Sequence, residues 1–460
     1  MKSENTRSDF SKGKVWQNII SQSVPLIFAQ LVLMMYNIVD RVYIGHLQGE
    51  GSMALTGVGL AFPITTLIAA FTYLFGTGGA PLFSMARGAK EEKKAEKILS
   101  QVFMLLIVSS VILFILLYIF RIDILYLFGA GEESIGYADS YLKIYLFGTA
   151  FSMLSTGLNS FINAQGFPKI GMGTIIIGAV FNIILDPIFI YVLDMKVEGA
   201  AIATVISQFI SFLWVLHFFC IGKSMYRFKW KYMLPDFKLI GKICTLGLAG
   251  CIMQATNCAV QIVCNKTLKI YGGDLYVGIM TVINSVREIL SLPASCVGGG
   301  SQPILSFNYG AARYDRVKSG IKFTTFLATS YMIVAWIIVI IIPHAFMSVF
   351  TKDAQMINMG TKALRIYFFG FFFMALQFSA QSTFTALGCA KRAVFFSIFR
   401  KVIIVVPLTL WLPTIGFGVD GIFLAEPISN AIGSTASFVT MWLTLYKKLP
   451  DTKPEIQTNN

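Results

Sequence analysis

The sequence predicts an all-α polytopic membrane protein: twelve transmembrane helices in two six-helix lobes, related by a pseudo-twofold axis along the membrane normal. Three observations carry this. The 460 residues are 56% hydrophobic and 14% aromatic, yet only 13% charged, whereas soluble domains carry roughly a quarter charged residues. Uncharged runs recur at spanning length, as in Ile98–Phe120, Phe323–Pro343 and Ile366–Ala390; about 20 residues cross a bilayer. The second half also repeats the first at a fixed shift of 222 residues. Soluble enzymes, secreted disulfide scaffolds and nucleic-acid-binding modules are excluded by the first two observations, and the +14 net charge reads as membrane topology.

Residues 1–17 form a polar cytoplasmic segment with Lys2, Arg7, Lys12 and Lys14, and no cleavable signal peptide is expected because the following apolar run is too long. Reading uncharged runs against Gly, Pro and charge breaks places helices at 18–45, 53–78, 98–120, 138–163, 170–193 and 199–221 in the first lobe, 18–221. After a linker at 222–240, the second lobe, 241–446, has helices at 241–268, 275–300, 320–343, 361–387, 394–415 and 421–446, followed by a tail at 447–460. Loops alternate in charge. The 46–52 loop has no Lys or Arg, whereas the next holds Arg87, Lys90, Lys93, Lys94 and Lys97, and the linker adds Lys223, Arg227, Lys229, Lys231 and Lys238. By the positive-inside rule both termini and the linker are cytoplasmic, in a multi-pass cell-membrane protein. The linker is expected to tolerate insertion.

The repeat aligns Ser84, Gly88 and Ala89 with Ser306, Gly310 and Ala311, and Tyr145 and Gly148 with Tyr367 and Gly370. It also aligns Ser160, Ala164 and Gly166 with Ser382, Ala386 and Gly388. Six spans per half is an even number, so both halves enter from the same side, as in parallel-repeat transporters.

Ionisable groups inside spans are costly and mark sites. Asn37 and Asp40 lie three apart on helix 1, and Asn182 and Asp186 four apart on helix 5, where Pro187 cannot donate to the Ile183 carbonyl. Thr204 on helix 6 sits at similar depth. This oxygen set suits Na⁺ or a proton. The competing structural reading pairs Asp40 with Arg41 and makes Asp186 a cap on a kinked helix. In the second half, Glu288 beside Arg287 replaces Thr66 and Thr65, and Glu426 stands where the first half has Thr204. Glu426 is read as a proton-carrying acid without a cation partner, and Glu288 as a group recognising cationic ligands; a structural ion pair is the alternative for each. Tyr36, Met280 and other thioethers and aromatics can line a cavity for flat cations, though most such residues pack helices. The seven Cys contain no CxxC pair and read as packing residues.

Pro25 to Gly45 with Asn37 and Asp40, the run at 57–63, Asn182-x-x-x-Asp186-Pro187, the run ending at Thr204, and Ser306-Phe-Asn-Tyr-Gly-Ala311 together resemble the multidrug and toxic compound extrusion (MATE) family, nearest its MepA-like subgroup. The resemblance spans about residues 15–446. It implies an antiporter exporting organic cations in exchange for H⁺ or Na⁺, with Asp40, Asn182, Asp186 and Thr204 as the amino-lobe cation site. No other cofactor and no nucleic-acid partner is implied; membrane lipids surround a chain expected to act as a monomer. Where some family branches have carboxy-lobe acids, this chain has Gln254, Asn257, Gln377 and Gln381. The alternatives are a flippase for lipid-linked saccharides, which needs several cavity cations where Arg287 is the one evident mid-membrane Arg, a membrane-embedded enzyme, and a channel.

Overall fold

A bilayer leaves a backbone no water to bond, so long apolar segments close their hydrogen bonds internally as helices. The computed structural model describes residues 8–47, 51–128 and 130–451, without the side chains of Gly51, Ser52, Glu133 and Gln254. Among these residues every regular element is helical. The outer parts of the terminal segments, 1–7 and 452–460, and loop residues 48–50 fall outside the description.

The helices of the first half are α1 (Val15–Gly45), α2 (Gly51–Gly88), α3 (Glu92–Leu127), α4 (Glu132–Tyr145), α5 (Thr149–Ala164), α6 (Pro168–Pro187) and α7 (Lys196–Cys220). Those of the second are α8 (Phe237–Gly310), α9 (Tyr314–Ile341), α10 (Pro343–Phe350), α11 (Ala354–Tyr367), α12 (Met374–Ala386), α13 (Ala390–Ile398), α14 (Val406–Trp411), α15 (Gly418–Ser429) and α16 (Thr435–Thr444). Among the described residues, eight helical runs are long and apolar enough to cross a membrane, or nine when the pair bent by 47° at Tyr367–Phe371 counts as one span. The difference from twelve has identifiable causes. α8 covers two of the expected spans and is broken at Gly273, whose φ of 72° an L side chain resists. The expected span at 138–163 is divided between α4 and α5 by a 3₁₀ turn at Leu146–Gly148, and that at 421–446 between α15 and α16 by a π-helical turn at Asn430–Ser434.

Two compact units result: Met1–Asp9 with Pro25–Gly247, and Phe10–Val24 with Leu248–Asn460. The start of α1, expected with the first lobe, groups with the second unit. Its apolar side explains this, since Phe10, Val15 and Ile19 are buried with Ile304. Arg316 adds hydrogen bonds to the carbonyls of Phe10, Lys12 and Gly13. The change falls at Pro25, which breaks the helix's own hydrogen-bond ladder.

Within the first unit, α2 and α5 approach closely because small residues face each other. A Cβ on Gly76 would stand 2.8 Å from the Gly157 Cα, the close backbone contact typical of membrane helix pairs. Phe83, Phe161 and Phe219 fill this unit's interior. Phe368, Phe371 and Phe423 do so in the second.

The linker, expected to tolerate insertion, is bonded to α3. Lys97 and Lys229 pair with Asp236 and Glu96, each at 2.6 Å. Phe228 stacks on Phe103 at 4.2 Å, and Gln101 donates to the Tyr232 carbonyl at 2.6 Å. Asp236 also caps α8, its Oδ1 accepting from the Lys238 and Leu239 amides at 3.1 Å. The Lys97 ammonium, and then the Leu239 amide, hold the Asp236 carboxyl below the ordinary carboxylate range. A depressed carboxyl stabilises the fold above its unfolded value, about pH 4, and loses that contribution as pH falls through the lower folded value. Asp236→Asn keeps the cap and loses the ion pair, whereas Asp236→Ala loses both. Amide exchange across 226–240 at pH 7 should therefore rise in the order wild type, Asn, Ala, with wild type and Asn converging only as pH falls through the lowered folded value of Asp236. Equal protection in all three would contradict this arrangement.

Candidate functional site

Four helices of the first unit converge on the predicted oxygen cluster. Tyr191, in the π-helical turn Ile188–Val192 that follows Pro187, donates to the Tyr43 carbonyl at 2.6 Å, and the two rings meet edge to face at 6.2 Å. This anchors the end of α1 to the end of α6. Asp40, one turn before Tyr43, is thereby set beside Asp186, and the two carboxyl groups abut. From α7, Thr204 accepts a hydrogen bond from Asn182 Nδ2 at 3.2 Å and donates its own proton back to the Ala200 carbonyl at 2.9 Å. Asp186 is fully buried and Asn182 nearly so.

The cluster is rich in acceptors and short of donors. Both oxygens of Asp186, Oδ1 of Asp40 and Oδ1 of Asn182 are buried with no hydrogen-bond partner among the described residues. Buried polar atoms are nearly always bonded, so each exception calls for an explanation. Several hard oxygens converging without a hydrogen-bond partner is an arrangement that a proton or a small cation completes. Two abutting carboxylates cannot comfortably both stay charged, so one proton shared between them also fits.

The predicted residues divide. Asp40, Asn182, Asp186 and Thr204 are brought together. Asn37 is not: it is exposed and donates to the Leu33 carbonyl of its own helix at 2.9 Å. Tyr36, expected to touch cargo, lies within hydrogen-bond reach of Thr204 and near Asp40 and Asp186. Two residues went unremarked as site candidates, Tyr141 and Tyr145 of α4, whose rings stack at 5.6 Å beside Asp40 and Tyr36. Tyr145 recurs as Tyr367 in the internal repeat, which was the available signal.

In the second unit Asn257, Met280 and Arg287 line one cavity. Glu288 is not among its walls; it is exposed and makes no ion pair among the described residues. The side chain of Gln254 is outside the description. Of the two readings of Glu426, the structure takes the structural ion pair. Glu426 is no partnerless proton carrier, because Oε1 accepts from Lys401 at 2.9 Å and from Arg400 at 3.3 Å, all three groups being buried. Arg400 also donates to Asn430 Oδ1 at 2.5 Å, while Ser429 donates to its carbonyl at 2.7 Å. Both cations sit in the π-helical turn Phe399–Val405, and Gly433 leaves room for Arg400, whose Cγ would stand 2.8 Å from a Cβ there. Arg287 is therefore not the one cation at depth.

A multi-span helical chain with two similar halves, and with unpartnered acids among its spans, is a membrane transporter in architecture. The MatE pattern matches it twice, at residues 25–188 and 249–411, close to the register of the internal repeat; the chain belongs to the MatE family. It is 27% identical to the multidrug export protein MepA of Staphylococcus saprophyticus, over 94% of this chain and 95% of that one. With MepA of Staphylococcus aureus strain MW2 it shares 25% identity over 97% and 98% of the two chains. Among solved structures, the outward-facing conformation of a multidrug resistance MATE family transporter of the MOP superfamily is 20% identical, with a TM-score of 0.89 over 97% of this chain and all of that one. A MATE in the bent conformation is 19% identical, with a TM-score of 0.90 over 95% and 98%. These structural likenesses establish the fold.

The buried ion pair allows a direct check. Removing one partner of such a pair strands the other and costs about 3–5 kcal/mol. Glu426→Gln should lower the thermal unfolding temperature in detergent clearly, and adding Lys401→Met should recover much of the loss. An unchanged unfolding temperature for Glu426→Gln would contradict the pairing.

Proposed function

We propose that this chain is a multidrug efflux antiporter of the cell membrane, exporting organic cations in exchange for inward H⁺ or Na⁺. The observation that carries the coupling half is the set of partnerless buried oxygens on Asp40, Asn182 and Asp186. Asp40 and Asp186 are the groups that take up and release the ion, Asn182 and Thr204 orient them, and Tyr36 covers them. Alternation between access to the two sides follows from an equilibrium that a bound ion and a bound cargo bias differently. The multidrug reading draws on the names of the staphylococcal relatives. The organic-cation reading rests on the family resemblance and on exposed Glu288. The same proposal places both termini and the linker 222–240 in the cytoplasm, because cation-rich loops stay inside.

A flippase for lipid-linked saccharides is the second reading, and it is favoured by one observation: Arg287, Arg400 and Lys401 together supply several cations at depth. The two readings separate in everted vesicles. An antiporter accumulates a fluorescent organic cation when a Na⁺ or pH gradient is imposed, and a flippase does not.

Asp40→Asn and Asp186→Asn should each abolish this gradient-driven uptake while the protein remains in the membrane, since an amide cannot carry the charge change that couples ion to cargo. Full transport by Asp186→Asn would contradict the coupling site. Glu288→Gln should weaken transport of cationic dyes more than that of neutral ones. Equal loss for both would remove Glu288 from cargo recognition.

A further inference from the structure

Within the second unit, α8, α11, α15 and the turn carrying Arg400 and Lys401 enclose a cavity of about 50 Å³, walled in part by Asn257, Asn284, Arg287, Tyr367, Lys401 and Glu426. Its charges do not balance. Lys401 and Arg400 both bond the same oxygen of Glu426, and the remaining bond of Arg400 goes to Asn430. Arg287 is left over. Its Nε is buried without a hydrogen-bond partner, and it forms no ion pair among the described residues. Counting Glu426 and the neighbouring exposed Glu288 against Arg287, Arg400 and Lys401 still leaves an excess of one positive charge in a membrane chain, and Glu288 lies outside the cavity walls.

Such an excess is costly in a bilayer unless something neutralises it. Water alone dilutes the cost but carries no charge. A guanidinium with a free edge presents parallel donors that match the two oxygens of a carboxylate or phosphate, and the Asn257 and Asn284 amides and the Tyr367 hydroxyl supply further donors. Size narrows the ligand further. At roughly 10–15 Å³ per water, the cavity holds about three to five waters. That is room for an oxyanion group, and too little for a whole drug.

We propose that this cavity binds the oxyanion group, carboxylate or phosphate, of a small amphiphilic molecule, with Arg287 as its principal partner and Lys401 as its second. The corresponding positions of the first half hold Thr65 for Arg287 and Ala179 for Lys401, so the two units differ in the sign of charge they take. The first holds a cluster of acids, and the second an excess of cations. Anion binding here does not depend on the chain being an exporter. In an exporter it would extend the cargo to zwitterions, whose carboxylate enters this cavity.

The test uses the purified full-length chain in dodecyl maltoside, with rhodamine B and its ethyl ester as probes, two dyes that share the xanthylium cation and differ in the free carboxylate. Binding is read by fluorescence anisotropy. The acid should bind about ten- to a hundred-fold more tightly than the ester, the range of a charge-assisted hydrogen bond. Arg287→Gln should close the gap by weakening the acid alone, and Arg287→Lys, which keeps the charge and loses the fork, should retain part of it. Sodium phosphate should raise the unfolding temperature of the wild type above that in sodium chloride of equal ionic strength, and should not do so for Arg287→Gln. Titrating phosphatidylglycerol then identifies the source: displacement of the acid marks a lipid headgroup as an occupant, and no displacement marks a soluble anion. Equal affinity for acid and ester, with no phosphate stabilisation that depends on Arg287, would overturn the proposal.

Discussion

Everything distinctive in this chain follows from the cost of an unpaired charge or polar atom in a lipid-embedded helix. That cost is why so few ionisable residues survive in its spans, and why a survivor such as Glu426 has definite neighbours. Lys401 and Arg400 exist at depth because Glu426 meets them at 2.9 and 3.3 Å. The exceptions are then the informative residues. Among the described residues, buried oxygens of Asp40, Asn182 and Asp186 have no hydrogen-bond partner, and neither has the buried Nε of Arg287. Each deficit states the chemistry of what would complete it, a cation in the first unit and an anion in the second.

The backbone departs from regular α-helix close to both clusters. Pro187 ends α6 next to Asp186 and is followed by a π-helical turn, and a second π-helical turn carries Arg400 and Lys401. A π turn widens the helix and redirects side chains by a fraction of a turn, and such bulges are frequent at functional sites. Here they let neighbouring residues point into one cluster, as Arg400 and Lys401 do toward a single carboxylate oxygen. Successive residues on a regular helix are separated by about 100° and would not converge so readily.

The fold class was legible because bilayer thickness writes itself into the length of uncharged runs, and the repeat was legible because its register carries no gaps. The amino-lobe cluster was legible for a similar reason: Asn182 and Asp186 are one helical turn apart, so a single face holds both. Spacing misled at Asn37, which lies three residues before Asp40 but bonds its own helix at Leu33 and faces outward. Helix geometry places a residue on a face; it does not say whether a nearer backbone carbonyl will satisfy its side chain. An ion pair was one of the two readings open for Glu426, but its partners were not named, although Arg400 and Lys401 stand side by side in the expected span 394–415. The repeat held the clue. Thr204 meets Asn182 on α6, so Glu426, at the matching position, had to face the matching helix, where Arg400 and Lys401 lie.

The central claim is that the Asp40–Asp186 cluster is where the driving ion binds. Calorimetry on the purified full-length chain tests it without transport. NaCl is titrated against choline chloride at several pH values, in buffers of different ionisation enthalpy so that released protons are counted. The account predicts that the wild type binds one Na⁺, or exchanges about one proton near neutral pH, and that Asp186→Asn abolishes the signal while Glu426→Gln leaves it in place. An identical signal from wild type and Asp186→Asn would contradict it.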